Sequence, residues 1–126
     1  MNNYIDHRNS NYNMIKRQIL NKKYIRRELI ESDYLLSNIN GYSLDKEQRT
    51  AIITDECANL VIAGAGSGKS LTIIGKVRYL IERKGIKPGE ILCITFTREA
   101  SENLERNINK NYNYYMKVYT FHKLSL

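Results

Sequence analysis

The stretch AGAGSGKS, Ala63–Ser70, decides which fold the sequence predicts. The phosphate-loop pattern has a glycine, four further residues and then Gly-Lys-Ser or Gly-Lys-Thr, and Gly68, Lys69 and Ser70 fit its second half. Ala63 takes the place of the first glycine. The small residues behind it still let the backbone curl so that its N–H groups point inward. The stretch therefore predicts a loop that binds phosphate groups.

The segments on both sides of this loop have the character that a phosphate loop requires. Residues 58–63 (ANLVIA) are a short apolar run typical of a strand, and residues 69–84 place apolar side chains at helical spacing. A dinucleotide-binding fingerprint fits less well, because Lys69 falls where that pattern has its third glycine. A glycine-rich turn with a structural role would leave the flanking strand and helix unexplained. The context favours nucleotide binding.

Each position of the loop has an expected role. The nucleotide-binding residues are expected to be Ala63, Gly64, Ala65, Gly66, Ser67, Gly68, Lys69 and Ser70. The loop N–H groups and the positive N-terminal end of the following helix would face the phosphates. Lys69 would reach the β- and γ-phosphates, and the Ser70 hydroxyl would bind Mg²⁺. Lys69 and Ser70 are therefore the expected catalytic residues of the loop.

The rest of the chain predicts alternating helices and strands. Residues 1–13 are rich in Asn and suggest an irregular tail, whereas residues 14–40 lack Gly and Pro and favour one or two helices with a bend. Ser43 is expected to cap the next helix. The segments expected to be regular after that are a helix over 46–54, a strand over 91–96, a helix over 98–108 and a strand over 116–120. This order predicts an α/β fold with a parallel sheet, flanking helices and an N-terminal helical extension.

Composition narrows the class of partner. The 126 residues carry a formal net charge of +7, which favours anionic partners such as nucleic acid or nucleotides. No apolar run reaches the ~18 residues of a membrane-spanning helix, so no membrane association is expected. The start of the chain shows no signal peptide. Cys57 and Cys93 are read as ordinary thiols of a reducing compartment, which predicts a cytoplasmic location.

Three further segments separate the classes of nucleotide-binding protein. These are LDKEQRTAI, residues 44–52, ILCITFTREAS, residues 91–101, and VYTFHKL, residues 118–124. Together with the loop they resemble the superfamily 1 DNA helicases of the UvrD/Rep/PcrA type, and most closely their helicase IV-like branch. The resemblance covers about residues 41–126, which it identifies as an incomplete P-loop NTPase (RecA-like) domain, with residues 1–40 as tail and helical extension. It implies an ATP-dependent DNA helicase, and alanine at the first loop position is typical of that family.

The resemblance also assigns binding residues. Gln48 is similar to the glutamine that recognises adenine, and its amide offers both the donor and the acceptor that the adenine edge needs, which favours ATP over GTP. The residues similar to the single-stranded DNA contacts are Thr95, Phe96, Thr97, Arg98, Thr120 and His122. A phenylalanine can stack on a base, and the hydroxyls and the guanidinium can donate to phosphates. Phe96 in the core and His122 as an ordinary histidine remain alternatives.

Hydrolysis of ATP needs residues that these motifs do not supply. An acidic pair binds Mg²⁺ and orients the attacking water in such enzymes, and the tempting IITDE, residues 52–56, precedes the loop instead of following it. The resemblance places that pair in a later motif and further groups in a second RecA-like domain. We therefore expect ATP, Mg²⁺ and single-stranded DNA as ligands, the remainder of a helicase as partner, and little activity from the chain alone. A non-catalytic nucleotide- or DNA-binding module, or another P-loop ATPase such as a kinase, stays open.

Overall fold

A long N-terminal helix precedes the mixed part of the fold. The computed structural model describes the backbone of residues 2–125 and the side chains of residues 11–125. Helix α1 (Asn2–Glu31) breaks at Ser32 and is followed by α2 (Asp33–Leu36). The predicted helix with a bend is confirmed. The irregular tail expected over residues 1–13 is wrong from Asn2 onward, because α1 begins there, and Met1 lies outside the described residues.

The remaining elements alternate as predicted, with one exception. They are α3 (Lys46–Ile53), α4 (Lys69–Arg78), a π-helical turn (Tyr79–Arg83), a 3₁₀ turn (Pro88–Glu90), β1 (Cys93–Thr95), α5 (Arg98–Tyr112), β2 (Val118–Thr120) and α6 (Phe121–Leu124). Strands β1 and β2 are parallel neighbours and are connected through α5, with Cys93 opposite Val118. The predicted parallel pairing is confirmed for these two strands.

The exception is the apolar run at residues 58–63, which was expected to be a strand. It forms no strand, and Leu60 and Ile62 are 87% and 89% exposed. A β-strand exists through hydrogen bonds to a neighbouring strand, and no such partner lies along this run within residues 2–125. The prediction of a strand here is wrong for this chain, and the observed sheet has two strands in the described region.

Helix α1 docks onto the rest of the fold through a polar cluster around Glu28. The Glu28 carboxylate is 3% exposed and accepts hydrogen bonds from Arg83 Nη2 at 2.8 Å, Tyr79 Oη at 2.9 Å and Ser32 Oγ at 3.2 Å. The hydrogen bond from Arg83 is the largest cause that lowers the pKa of Glu28 to about 2. Since the charges along α1 oppose its helix dipole, these contacts supply the tertiary support that the helix needs.

Helices α3 and α4 pack unusually closely in the core. Gly75 in α4 allows this approach, because a Cβ atom there would lie 2.7 Å from Ile52 Cδ1 and 2.9 Å from Leu44 Cδ1. The residues that fill this core are Leu35, Leu36, Ile39, Leu44, Ile52, Ile53, Ile74 and Val77, all buried. The close packing matters because α3 and α4 both border the phosphate loop.

The N-cap of α3 differs from the prediction. Asp45 is the cap: its carboxylate accepts from the Gln48 N–H at 2.8 Å, and Gln48 Oε1 accepts from the Asp45 N–H at 2.9 Å. This reciprocal arrangement is a capping box. Ser43 lies too far before the first helical residue to cap it, and its hydroxyl accepts from Arg49 at 3.0 Å instead. The expected helix is confirmed, and the expected cap is wrong.

No helix in the described part of the chain combines the length and the apolar character needed to cross a bilayer. Helix α1 has the length for it, but its residues 11–31 include six lysines and arginines, which is too polar.

Candidate nucleotide site

The phosphate loop connects the irregular run at residues 58–63 to the N-terminus of α4. Gly66 and Gly68 have φ angles of +74° and +80°, which favour glycine over any residue with a side chain. Gly68 is also the N-cap of α4, and a Cβ atom there would lie 2.6 Å from Gln48 Nε2. The backbone conformation therefore favours glycine at position 68, and any side chain there would displace the Gln48 amide from its present position.

Hydrogen bonds close the loop on itself. The Ser67 N–H and hydroxyl donate to the Gly64 carbonyl at 3.3 and 2.6 Å, and Lys69 Nζ lies 3.4 Å from the Ala63 carbonyl. Ser70 lies exposed in the first turn of α4. The first N–H groups of a helix have no acceptors within the helix, so they are available to an anion. The loop thus presents a lysine, a hydroxyl and a helix N-terminus to the same region of solvent.

Gln48 lies against this loop although it is distant in sequence. Its Nε2 atom donates to the Ser67 carbonyl at 3.1 Å, while its Oε1 atom accepts from Asp45 in the capping box. A glutamine amide has two hydrogens and two lone pairs, so one donor and one acceptor position remain unused by these contacts. The structure brings Gln48 and the loop together, and recognition of adenine by Gln48 stays a prediction.

A cavity of about 550 Å³ opens between α3, the run at residues 58–63 and α4. Its walls combine apolar and polar side chains. The apolar ones include Ile52, Ile62 and Ile73, and the polar ones include Asp45, Gln48 and Lys69. Its volume falls in the range typical of small-molecule sites, about 300–1,000 Å³. The cavity is therefore large enough for a nucleotide beside the loop.

Three polar residues at this site were not found from the sequence. Asp45 could have been, because Asp-x-x-Gln before an apolar run is the pattern of a capping box. Thr72 donates through its hydroxyl to the Gly68 carbonyl at 3.0 Å. Lys76 donates to the Ile52 carbonyl at 2.5 Å, and burial lowers its pKa. Nothing in the sequence distinguishes Thr72 or Lys76 from ordinary surface residues of a helix.

The residues predicted to contact DNA lie at the carboxyl ends of the two strands. Thr95 ends β1, Thr120 ends β2, and the two are opposite each other in the register. Phe96 follows β1 and is 88% exposed, so the alternative that placed it in the core is wrong. His122 is exposed on α6, two residues after the end of β2. The structure therefore gathers both predicted DNA-contacting segments at one edge of the sheet.

Several of these side chains also have local structural roles. Thr97 caps α5, since its hydroxyl oxygen accepts from the Ala100 N–H at 3.1 Å, and Thr120 caps α6 in the same way. Both hydroxyls keep their hydrogen for another acceptor. Arg98 pairs with Glu102 at 2.8 Å in a solvent-exposed contact of little energetic value. Their contacts to DNA stay predictions.

Three tyrosines lie at the end of α5 and just after it, and two of them pack against the fold while the third is exposed. Tyr112 and Tyr114 stack with ring centroids 5.5 Å apart, and the Tyr112 hydroxyl accepts from the Asn40 N–H at 3.0 Å. Both rings are partly buried against the core, so they have a packing role. Tyr115 is 86% exposed.

Comparison with known proteins gives consistent matches. The family model of the UvrD/REP helicase N-terminal domain matches residues 44–126. The ATP-dependent DNA helicase Rep of Buchnera aphidicola is 40% identical over 88 residues, which are 67% of this chain and 13% of that protein. A probable DNA helicase II homolog of Mycoplasma pneumoniae is 37% identical over 83 residues, or 63% of this chain and 12% of the relative.

The ATP-dependent DNA helicase PcrA of Staphylococcus aureus is 36% identical over 67 residues, covering 53% of this chain and 9% of that protein. This chain therefore spans only 9 to 13% of the length of these three relatives. Because the family model covers most of the chain and includes the phosphate loop and both strands, the chain belongs to the UvrD/REP helicase family.

Proposed function

We propose that this chain is the ATP-binding part of an ATP-dependent DNA helicase or translocase that acts on single-stranded DNA. The observation that carries the proposal is the hydrogen bond between Gln48 and the Ser67 carbonyl, since it joins the residue predicted to recognise adenine to the phosphate loop. Two relatives are named ATP-dependent DNA helicases, and they share the matched region. The activity of the complete helicase is part of the proposal, as is a second RecA-like domain that would close over the nucleotide.

Within the site, the chain's own residues would bind and orient ATP. Lys69 would exchange its contact with the Ala63 carbonyl for the β- and γ-phosphates, whose charge is a stronger acceptor. The Ser70 hydroxyl would bind Mg²⁺ together with phosphate oxygens. Both residues are exposed at the N-terminus of α4, so the donor set fits a Mg²⁺-nucleotide. Bound Mg²⁺ would neutralise charge on the phosphates.

The edge formed by β1 and β2 is proposed to contact single-stranded DNA. Phe96 offers an uncovered ring for stacking on a base, and Arg98 is nearby for a phosphate. Thr95, Thr97, Thr120 and His122 would add hydrogen bonds to the same strand. A cytoplasmic location fits the free thiols of Cys57 and Cys93.

ATP binding by the 126-residue chain tests the proposal. We expect Mg²⁺-ATP to bind in a calorimetric titration, and Lys69→Ala to weaken binding at least about tenfold, because a charge-assisted hydrogen bond to phosphate is lost. Lys110→Ala, at an exposed position on α5, is the matched control and should bind like the wild type. Unchanged binding by Lys69→Ala would overturn the assignment of the loop.

The same preparation tests the expected lack of turnover. Asp45 lines the cavity, but its carboxylate is already committed to the Gln48 N–H, so it is a poor candidate for orienting water. We expect the chain to bind ATP and release phosphate no faster than a Lys69→Ala variant does. Rapid, Lys69-dependent phosphate release would show that the chain carries its own hydrolytic group.

A further inference from the structure

Lys76 connects the helix of the phosphate loop to the helix that carries Gln48. It lies in α4, and its Nζ atom donates to the carbonyls of Ile52 at 2.5 Å and Thr54 at 3.2 Å. Those two carbonyls lie at the C-terminal end of α3, where the last carbonyls of a helix have no partners within it. A lysine at this position both satisfies these acceptors and complements the negative end of the helix dipole.

Helices α3 and α4 are also in close steric contact at Gly75. Gly75, beside Lys76, has no room for a Cβ atom, because Ile52 and Leu44 would lie within 3 Å of it. The α3 backbone is therefore close enough for the Lys76 ammonium to reach its carbonyls. The close contact of Gly75 with Ile52 and the hydrogen bonds of Lys76 thus join α4 to the same end of α3.

The other end of α3 carries Gln48, which touches the loop through Ser67. Asp45 holds the Gln48 backbone, and the capping box holds its side-chain oxygen. Helix α3 is thus attached to α4 at its C-terminal end by Lys76 and to the phosphate loop at its N-terminal end by Gln48. A shift of the C-terminal end would tilt the short helix and move the Gln48 amide relative to the loop.

We propose that Lys76 is a positioning residue for base recognition: by holding the C-terminal end of α3 against α4, it places the Gln48 amide at the distance from the phosphate loop that an adenine nucleotide requires. The inference rests on the proposed function. Lys76 would affect which nucleotide base is preferred. It would not affect the affinity for phosphate groups, because the loop and Lys69 make those contacts.

Two ligands distinguish base recognition from phosphate binding. Mg²⁺-ATP requires the base contact and the phosphate contacts, whereas Mg²⁺-tripolyphosphate requires only the phosphate contacts. For Lys76→Met we expect ATP affinity to fall roughly three- to tenfold, as for the loss of hydrogen bonds to a charged donor, with tripolyphosphate affinity unchanged. The preference for ATP over GTP should fall by the same factor. Lys76→Arg keeps a donor at this position and should restore most of the preference.

Further variants make the test decisive. Lys110→Met is the matched control on exposed α5 and should change neither affinity. Gly75→Ala should lower the preference for ATP in the same direction, because its methyl group would push α3 away. Equal loss of ATP and tripolyphosphate binding in Lys76→Met, or an unchanged preference for ATP over GTP, would overturn the role of Lys76. If Lys69→Ala leaves wild-type binding of both probes intact, the proposed function fails and the inference falls with it.

Discussion

Glu28 lies near the C-terminal end of α1, nearly fully buried against the rest of the fold, and is held there as an anion. Its pKa, lowered to about 2 chiefly by the hydrogen bond from Arg83, lies below the ordinary value of 4.5. A carboxyl group whose pKa is lower in the folded state stabilises the fold above its unfolded pKa, and this stabilisation is lost as the pH falls towards the folded value. The contribution of Glu28 is therefore present at neutral pH and disappears between about pH 5 and pH 2.

Glu28→Gln should remove this contribution. We expect the free energy of unfolding at pH 7 to fall by about 3 kcal/mol, because the variant loses the interactions that lower the pKa of Glu28 from 4.5 to about 2, and each pKa unit corresponds to about 1.4 kcal/mol. The difference from the wild type should narrow as the pH is lowered from 5 to 2, in urea titrations at each pH. Glu99→Gln, at an exposed position on α5, is the control and should differ little at any pH. A difference that does not depend on pH would contradict the ionised state of Glu28.

The contacts of Glu28 and of Lys76 could not be predicted from the sequence. Arg83 lies 55 positions from Glu28 and Lys76 lies 24 from Ile52, and pairs this distant leave no local pattern. Asp45 was within reach, because its partner Gln48 is only three residues away. The phosphate loop was also within reach, since its chemistry depends on adjacent residues and on the helix that follows.

At the scale of elements, the edge where β1 and β2 end is the candidate contact with DNA. Phe96 is 88% exposed there, so little of its ring is buried in the fold. We expect Phe96→Ala to leave the melting temperature unchanged and to weaken binding of a single-stranded oligonucleotide by ~1–3 kcal/mol through lost stacking. Fluorescence anisotropy at a fixed salt concentration measures this, because the phosphate contacts depend on salt.

Tyr34→Ala is the matched control for this experiment. Tyr34 is an exposed aromatic residue on α2, outside the predicted DNA-contacting segments. Its replacement should leave oligonucleotide binding unchanged. Equal binding by Phe96→Ala and the wild type would remove Phe96 from the DNA site, and a lowered melting temperature would show that the ring stabilises the fold instead.

The helices and the pairing of β1 with β2 were predicted correctly, whereas the strand at residues 58–63 was not, and the difference has a physical reason. Amphipathic helices such as α5 carry their pattern within themselves, and the parallel pair of β1 and β2 followed from a helix placed between two apolar runs. The run at residues 58–63 has the same apolar character as a strand, but it lacks a hydrogen-bonded neighbour in residues 2–125. Local sequence shows the capacity to form a strand, whereas the partner decides whether one forms.

On the scale of the whole molecule, we expect the run at residues 58–63 to promote association between copies of the chain. Leu60, Val61 and Ile62 are exposed together, and contiguous apolar residues without a paired backbone favour contact between copies. We expect the chain to associate as its concentration rises, and Leu60→Lys to reduce this in light-scattering measurements. Ile30→Lys, at a similarly exposed position on α1, is the control. Equal association of the wild type and Leu60→Lys would show that other surfaces are responsible.

The central claim is that Gln48 and the phosphate loop form one adenine-nucleotide site, and the most direct measurement compares Gln48→Ala with the wild type. In Gln48→Ala the Asp45 cap of α3 remains, so the fold should be preserved. Gln18→Ala, an exposed position on α1, is the matched control. We expect Gln48→Ala to bind Mg²⁺-ATP roughly tenfold more weakly, because two hydrogen bonds to the base are lost, with Mg²⁺-tripolyphosphate affinity unchanged. Unchanged ATP affinity, or equal loss for both probes, would contradict it.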